Sequence, residues 1–505
     1  MTKINSGNNM NLPLIDRAKQ HGNKIAIATT EGSFFYHDLL QTSAKIATIL
    51  LNNIKDLQEQ RVAFLIPSGF QYVATQWGIW RAGGIAVPLC VSHPQPELDY
   101  VIADSGASII IAHPSFEALL KPIAQERNLR FILTSETLPE AVSLLPEIDI
   151  TRRALIVYTS GTTGKPKGVV TTHQNIQAQI TSLVSAWEWT SEDRILHFLP
   201  LHHIHGIINV LSCSLWVGAE CDMLTKFDAN IVWDRIIEGN LTVFMAVPTI
   251  YVKLITAWEA ADRNSQNKMS DGCAKMRLMV SGSAALPVQV LEKWRNISGH
   301  FLLERYGMTE IGMALSNPLH GERLAGYVGK PLPEVEVRLV DESENIVSPG
   351  KSGEIQVKSP GVFLEYWQKP EATAKVFRDG WFCTGDFAVV ENDNYRILGR
   401  MSVDIIKTGG YKVSALEIEE VLRTHLNIQE CAVVGVLDSE WGERVCAALV
   451  LQSGSNLTLK TLRSWAKERL ATYKVPTQII TVEDLPRNAM GKVTKPSVAK
   501  LFSAL

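Results

Sequence analysis

The chain has 505 residues, 46% hydrophobic and 20% charged, with 49 Lys and Arg against 52 Asp and Glu. That length allows roughly two to four folding units, and so much apolar surface offsets the entropy of ordering, which excludes disorder for most of the chain. A formal net charge of −3 supplies no electrostatic attraction to nucleic acid.

Short apolar runs alternate with helix-length amphipathic stretches through the first part of the chain. The series is RVAFLIP (61–67), FQYVATQWGIWRAG (70–83), IAVPL (85–89), SIIIAH (108–113), FEALLKPIAQERN (116–128) and RFILT (130–134). This β-α-β-α rhythm predicts parallel sheet with helical crossovers, a doubly wound α/β arrangement. It recurs at LTVFMAVP (241–248) with TIYVKLITAWEAAD (249–262), and at MRLMVSG (276–282) with VQVLEKWRNIS (288–298). From about residue 325 the text becomes strand-rich with turn signals, VEVRLVDESENIVSPGKSGEIQVKSP (335–360), which predicts a small β-rich subdomain. After ILGR (397–400) a compact α+β unit is expected, with strands near 431–438 and 444–452 and helices near 415–425 and 459–470. The expected domains are therefore 1–400 and 401–505.

The seven cysteines, at 90, 213, 221, 273, 383, 431 and 446, form no CxxC pair. Such spacing suits reduced thiols and not a disulfide or zinc framework. The uncharged run from Val62 to Trp80 is broken by Pro67, Ser68, Gly69, Gln71 and Gln76, so no membrane span is expected. The first residues show neither an apolar signal core nor an Arg-rich transit pattern, and LFSAL is no peroxisomal address. The expected location is the cytoplasm.

The segment Tyr158-Thr-Ser-Gly-Thr-Thr-Gly-Lys-Pro-Lys-Gly168 follows the apolar run ALIV. Glycines let backbone N–H groups approach oxygens, hydroxyls donate and lysines neutralise charge, so the segment suits phosphate binding. It is not a Walker A loop, because G-x-x-x-x-G-K-[ST] is absent.

TSGTTGKPKG resembles the signature loop of the adenylate-forming superfamily of acyl-CoA synthetases, peptide-synthetase adenylation domains and luciferases. Five further motifs follow in that family's order: Tyr306-Gly-Met-Thr-Glu310, Trp381-Phe-Cys-Thr-Gly-Asp386, Leu398-Gly-Arg400, Lys407-Thr-Gly-Gly-Tyr-Lys412 and Pro486-Arg-Asn-Ala-Met-Gly-Lys492. The resemblance implies two half-reactions, in which an acid and Mg-ATP give acyl-AMP and pyrophosphate, and CoA then displaces AMP. It implies that Thr159, Ser160, Gly161, Thr162, Thr163, Gly164, Lys165, Pro166 and Lys167 wrap the β- and γ-phosphates. Tyr306 would stack on adenine, Thr309 would meet the α-phosphate, and Glu310 with Thr162 would hold Mg²⁺. Asp386 would accept from the ribose hydroxyls, and Arg400 would bridge nucleotide and hinge. Lys492 would neutralise the junction between carboxylate and α-phosphate, both anions. The C-terminal unit resembles a rotating module hinged at Met401–Ser402, with Gly409 and Gly410 making room for the pantetheine arm of CoA.

Over His197–Pro496 the chain looks most like the malonyl-CoA synthetase group, in stretches such as LPLHHIHGIINVL and LLERYGMTEIGMALSNPL. A dicarboxylate's distal anion requires a fixed cation, and Arg277, beside the Ser281-Gly282-Ser283 turn, is the expected one. Arg323 is a second candidate. His202, His203 and His205 raise the question of zinc. On a strand 203 and 205 share one face, no Cys or acidic ligand is close, and His205 is expected to line the acyl pocket. The expected substrates are malonate or a related acid, ATP and CoA, with no nucleic-acid partner. The alternatives are a medium- or long-chain fatty acyl-CoA synthetase, a luciferase-type oxygenase, an adenylation domain and a non-catalytic homologue.

Overall fold

The computed structural model describes residues 12–159, 165–409, 411–438, 441–488 and 491–503. Two largely parallel sheets form the N-terminal body. The seven-stranded sheet runs Glu365–Tyr366, Lys167–Thr172, Arg153–Thr159, Ile85–Pro88, Arg61–Leu65, Ile109–Ala112 and Arg130–Leu133. The nine-stranded sheet has a parallel centre of Leu303–Met308, Leu278–Ser281, Val243–Ala246, Arg194–His197, Glu220–Met223 and Ile25–Thr29, with antiparallel strands at its edges.

The alternation along each strand explains why these runs are apolar on both faces. Val62 and Phe64 join the large core between the two sheets, while Ala63 and Leu65 join a second core on the far side. Ile109 and Ile111 divide from Ile110 and Ala112 in the same way. A parallel strand covered on both faces reads as a continuous apolar run, which is how these segments appear in the sequence. The helix Phe70–Arg81, with every residue from Tyr72 to Trp80 buried, packs into the same large core through Tyr72, Val73, Ala74, Trp77, Ile79 and Trp80.

The β-rich text folds into an antiparallel five-stranded sheet of Glu336–Val340, Ser352–Lys358, Trp381–Glu391, Phe377–Arg378 and Asn394–Arg400. Beyond Arg400 the chain turns through Met401–Asp404 and builds a separate sheet from Ile405–Thr408, Tyr411–Ser414, Ile428–Asp438, Gly442–Leu451 and Gln478–Thr481. Helices Ala415–Leu422, Leu459–Lys467 and Lys495–Ser503 cover its two faces, each face with its own apolar core.

The histidine segment departs from the strand expected of it. His202 and His203 lie in a turn, and His205 opens a π-helix, His205–Ser212, whose residues are all buried. Ser212 Oγ donates to Ile207 O at 2.6 Å, a five-residue step that a wider π turn accommodates. Gly206 is required there, since a Cβ would fall 2.5 Å from Pro200 O.

Candidate active site

The parallel strands of the nine-stranded sheet end on a common edge, and open α/β sheets place ligands at such carboxyl ends. His197 and Ser281 terminate two of these strands, and Thr309 and Glu310 follow the end of a third. Met308 leads into that turn through a register shift between Tyr306 and Gly307.

The expected nucleotide residues meet one another. Tyr306 donates its hydroxyl to Asp386 Oδ2 at 2.7 Å, and Arg400 Nε donates to Asp386 Oδ1 at 2.6 Å. Strand pairing sets the second contact, because Asp386 and Arg400 lie opposite one another in the antiparallel ladder. Arg400 Nη2 also reaches Asp386 Oδ2 at 3.3 Å, so among the described residues it is Oδ1 that keeps a further lone pair for an incoming hydroxyl. Lys167 Nζ sits 4.8 Å above the Tyr366 ring and Lys165 Nζ 5.4 Å above the Tyr100 ring, flanking the hairpin that carries Thr159 opposite Lys167. Tyr100 also donates to Pro166 O at 2.8 Å. Ser160, Gly161, Thr162, Thr163 and Gly164 lie outside the described residues, as does Gly410.

Glu310 is buried, and the Tyr366 hydroxyl donates to its Oε1 at 2.8 Å. Burial raises its proton affinity, and among the described residues no ion pair reaches its carboxylate. A buried carboxylate in that state favours a cation beside it, and Mg²⁺ is commonly held by one or two carboxylates together with substrate phosphates. Glu310, the described member of the expected pair, fits such an ion.

Lys492 sits on a braced turn. Arg487 pairs with Glu430 at 2.6 Å and donates to Gly491 O at 3.0 Å, while Lys492 N donates to Asn488 Oδ1 at 3.0 Å. The ammonium is held down to about 8, chiefly by desolvation and then by the like charges of Arg305 and Arg400. Three cations from three segments therefore converge. His203 and His205 are kept neutral mainly by burial, with Lys492 among the charges lowering each.

Arg305 is the residue that sequence reading missed. It is buried in the strand Leu303–Met308, and among the described residues it has no carboxylate partner. Its Nη2 donates to Ser283 Oγ at 3.3 Å, Ser283 Oγ meets His205 Nδ1 at 3.2 Å, and its Nε has no hydrogen-bond partner among the described residues. Desolvation lowers its pKa to about 9. Gly282 admits the guanidinium, because a Cβ there would lie 2.7 Å from Arg305 Cζ. Ser283 is held at φ +68°, a left-handed conformation that costs a non-glycine residue about 1–3 kcal/mol and clusters at functional sites. The signal was available: a charged residue inside the apolar strand LLERYGM, directly before the Tyr306 already singled out.

Arg277 and Arg323 require correction. Arg277 precedes the strand Leu278–Ser281, at the amino end of the sheet, roughly 20 Å of extended chain from Ser283. Its fork is filled by Asp193, with Nε to Oδ1 and Nη2 to Oδ2 both at 2.7 Å, and Nη1 donates to Trp187 O at 2.8 Å. Arg323 donates to three backbone carbonyls, those of Pro318, Leu319 and Phe301. Neither guanidinium is available to a substrate. Arg277→Ala is accordingly expected to cost about 1.5–3 kcal/mol of stability, read as a lower denaturation midpoint, with unchanged acid selectivity. Asp193 has a folded pKa below its unfolded value, owing to hydrogen bonds from Arg277, Thr242 and the Thr190 backbone that outweigh its burial. Its contribution is present above the unfolded pKa and lost as pH falls through the folded one, so the variant and parent should converge in strong acid.

In the C-terminal unit, Gly409 adopts φ +54° and donates its N–H to Trp441 O at 2.9 Å. Met401 N donates to Gly385 O at 3.0 Å at the crossing between the two bodies. No helix among the described residues is long and apolar enough to cross a membrane.

Residues 14–367 match the AMP-binding enzyme family, and residues 417–492 match the AMP-binding enzyme C-terminal domain. Malonate–CoA ligase ACSF3, mitochondrial, of Bos taurus is 47% identical, covering 97% of this chain and 90% of its own length. Malonate–CoA ligase of Arabidopsis thaliana is 42% identical over 94% of this chain and 86% of its own. The crystal structure of ATP-bound MatB from Rhodopseudomonas palustris superimposes with a TM-score of 0.89 at 32% identity, covering 97% of this chain and 99% of that one. By the match over residues 14–367 and the full-length relatives, the chain belongs to the AMP-binding enzyme family.

Proposed function

We propose that the protein is an ATP-dependent acid–CoA ligase that converts malonate to malonyl-CoA through malonyl-AMP. The observation that carries the substrate reading is Arg305, a buried cation with no anionic partner among the described residues, whose charge acts on the ammonium of Lys492. Malonate has two carboxylates separated by one methylene. One oxygen of the first attacks the α-phosphorus and pyrophosphate departs. The second carboxylate is held by the Arg305 fork, with Ser283 and His205 orienting it. A fatty acid would have to lay its chain against an unpaired guanidinium, which is costly in a desolvated pocket. The names of the bovine and Arabidopsis relatives support the same acid.

Lys492 neutralises the two anions that meet at the α-phosphate. Asp386 takes the ribose hydroxyls, the Tyr306 ring lies against adenine, and Thr309 reaches the α-phosphate. The hairpin from Thr159 to Lys167 carries the phosphate loop. Mg²⁺, held by Glu310 with Thr162, would neutralise phosphate charge. In the second half-reaction the CoA sulfur attacks the acyl carbon, AMP leaves with the bonding pair, and the thiol proton goes to solvent. Gly409, with no side chain, would leave room for that arm. We take residues 1–400 and 401–505 as the two bodies, with Met401–Ser402 as the hinge between half-reactions.

As to compartment, every described cysteine is a free thiol, which a reducing environment preserves. The cytoplasm meets that condition, and so does the mitochondrial compartment named for the vertebrate relatives.

A panel of malonate, methylmalonate, acetate and octanoate, with ATP and with or without CoA, tests the reading by product analysis. AMP and pyrophosphate with malonate preferred are expected. Release of ADP and phosphate would remove the adenylation mechanism, and preference for octanoate would replace malonate with a fatty acid.

A further inference from the structure

Three residues beyond Lys492, a second lysine is largely covered. Lys495 opens the helix Lys495–Ser503 with its side chain 11% exposed. Its ammonium donates to Val433 O at 2.7 Å, pairs with Asp404 Oδ1 at 3.3 Å and forms an ion pair with Glu419. Glu419 is otherwise saturated: it accepts from Val433 N at 2.8 Å and pairs with Arg423 at 3.1 Å.

Asp404 links two parts of the chain. One oxygen faces Lys495, and the other accepts from the Arg400 N–H at 3.1 Å. The Asp404 N–H donates back to Arg400 O at 2.7 Å, and Asp404 O accepts from Ala415 N at 2.7 Å, where the helix Ala415–Leu422 begins. The approach is close enough that a Cβ at Gly399 would lie 2.4 Å from Asp404 Cβ. One carboxylate therefore touches the end of the N-terminal body and that lysine at once.

We propose that Lys495 is a positioning residue for the adenylation half-reaction, clamping Asp404 against the Arg400 backbone so that Lys492 is held at the nucleotide. This rests on the reading of Lys492 and of the Met401–Ser402 hinge given above. Arg400 and Asp404 lie on opposite sides of that hinge, so rotation there would break the bond between them. Lys495 keeps the Asp404 carboxylate where that bond can form. The ion pair acts through conformational specificity, a use of buried charge that is separate from net stability.

The test uses Lys495→Met, Lys495→Arg and Asp404→Asn in the full chain, with Lys492→Ala in parallel. Adenylation and the reaction of preformed malonyl-AMP with CoA are measured separately, alongside thermal unfolding. Asp404→Asn leaves Lys495 paired with Glu419, so its core stays charge-compensated even where Lys495→Met does not fold. Adenylation is expected to fall on the order of 10-fold to 100-fold in Asp404→Asn and in folded Lys495→Met, the scale set by small misplacements of a catalytic group. The CoA half-reaction should hold, and Lys495→Arg should recover part of the loss. Parallel loss in both half-reactions, or full adenylation in folded Asp404→Asn, overturns the proposal. If Lys492→Ala also adenylates normally, the failure belongs to the reading of Lys492 and takes this proposal with it.

Discussion

Lys492→Ala is expected to abolish malonyl-AMP formation while sparing the reaction of preformed malonyl-AMP with CoA. Only the first half-reaction brings a carboxylate and a phosphate together, and the ammonium of Lys492 lies within the electrostatic reach of Arg305 and Arg400. Removing a single preorganised donor to a developing charge costs about 100-fold to 1,000-fold in rate, and a full positive charge should cost at least as much. A pH profile gives a second reading of the same group. Lys492 carries its charge only below about 8 in the free enzyme. The kcat/KM for ATP-dependent adenylation should therefore decline as pH rises through that value. With the anionic substrates bound, the ammonium is favoured, and the limb in kcat should move to higher pH. Equal loss in both half-reactions would make Lys492 a structural residue.

Arg305→Ala should convert a malonate enzyme into a poor and unselective one. The substitution leaves the distal carboxylate desolvated without its partner, and truncating one member of such a pair costs roughly 2–5 kcal/mol. At about 1.4 kcal/mol per factor of ten, kcat/KM for malonate should fall roughly 30-fold to a few thousand-fold. Butyrate turnover should hold or rise, because the pocket loses a buried charge that a monocarboxylate cannot satisfy. Arg305→Lys should recover only part, since a point charge cannot reproduce the planar fork. The decisive comparison is with Arg277→Ala, where stability falls and acid preference stays. A parallel loss of malonate and butyrate in Arg305→Ala would assign Arg305 to the fold and leave the malonate reading to resemblance alone.

The sequence alone determined the fold class and picked out the residues Tyr306, Asp386 and Arg400 that the structure brings into contact. Buried parallel strands such as 61–65 and 109–112 must be apolar on both faces, so they appear as unbroken runs between helical periods. Tyr306, Asp386 and Arg400 belong to local motifs whose spacing is set within single hairpins and turns, and Asp386 meets Arg400 through one antiparallel ladder. The proposed acid pocket was different. The SGS turn at 281–283 was legible, but which arginine faces it depends on strand polarity and on pairing over long separations. Arg277 lies at the amino end of its strand, and Asp193, 84 residues away in sequence, fills its fork. Arg305 comes from the neighbouring strand, and among the described residues no carboxylate pairs with it. Likewise the histidines of HHIHG read as strand, whereas packing wound His205–Ser212 into a buried π-helix. Periodicity records which face of an element is buried. It carries nothing about which charges are already neutralised, because that depends on partners brought together only by the tertiary fold.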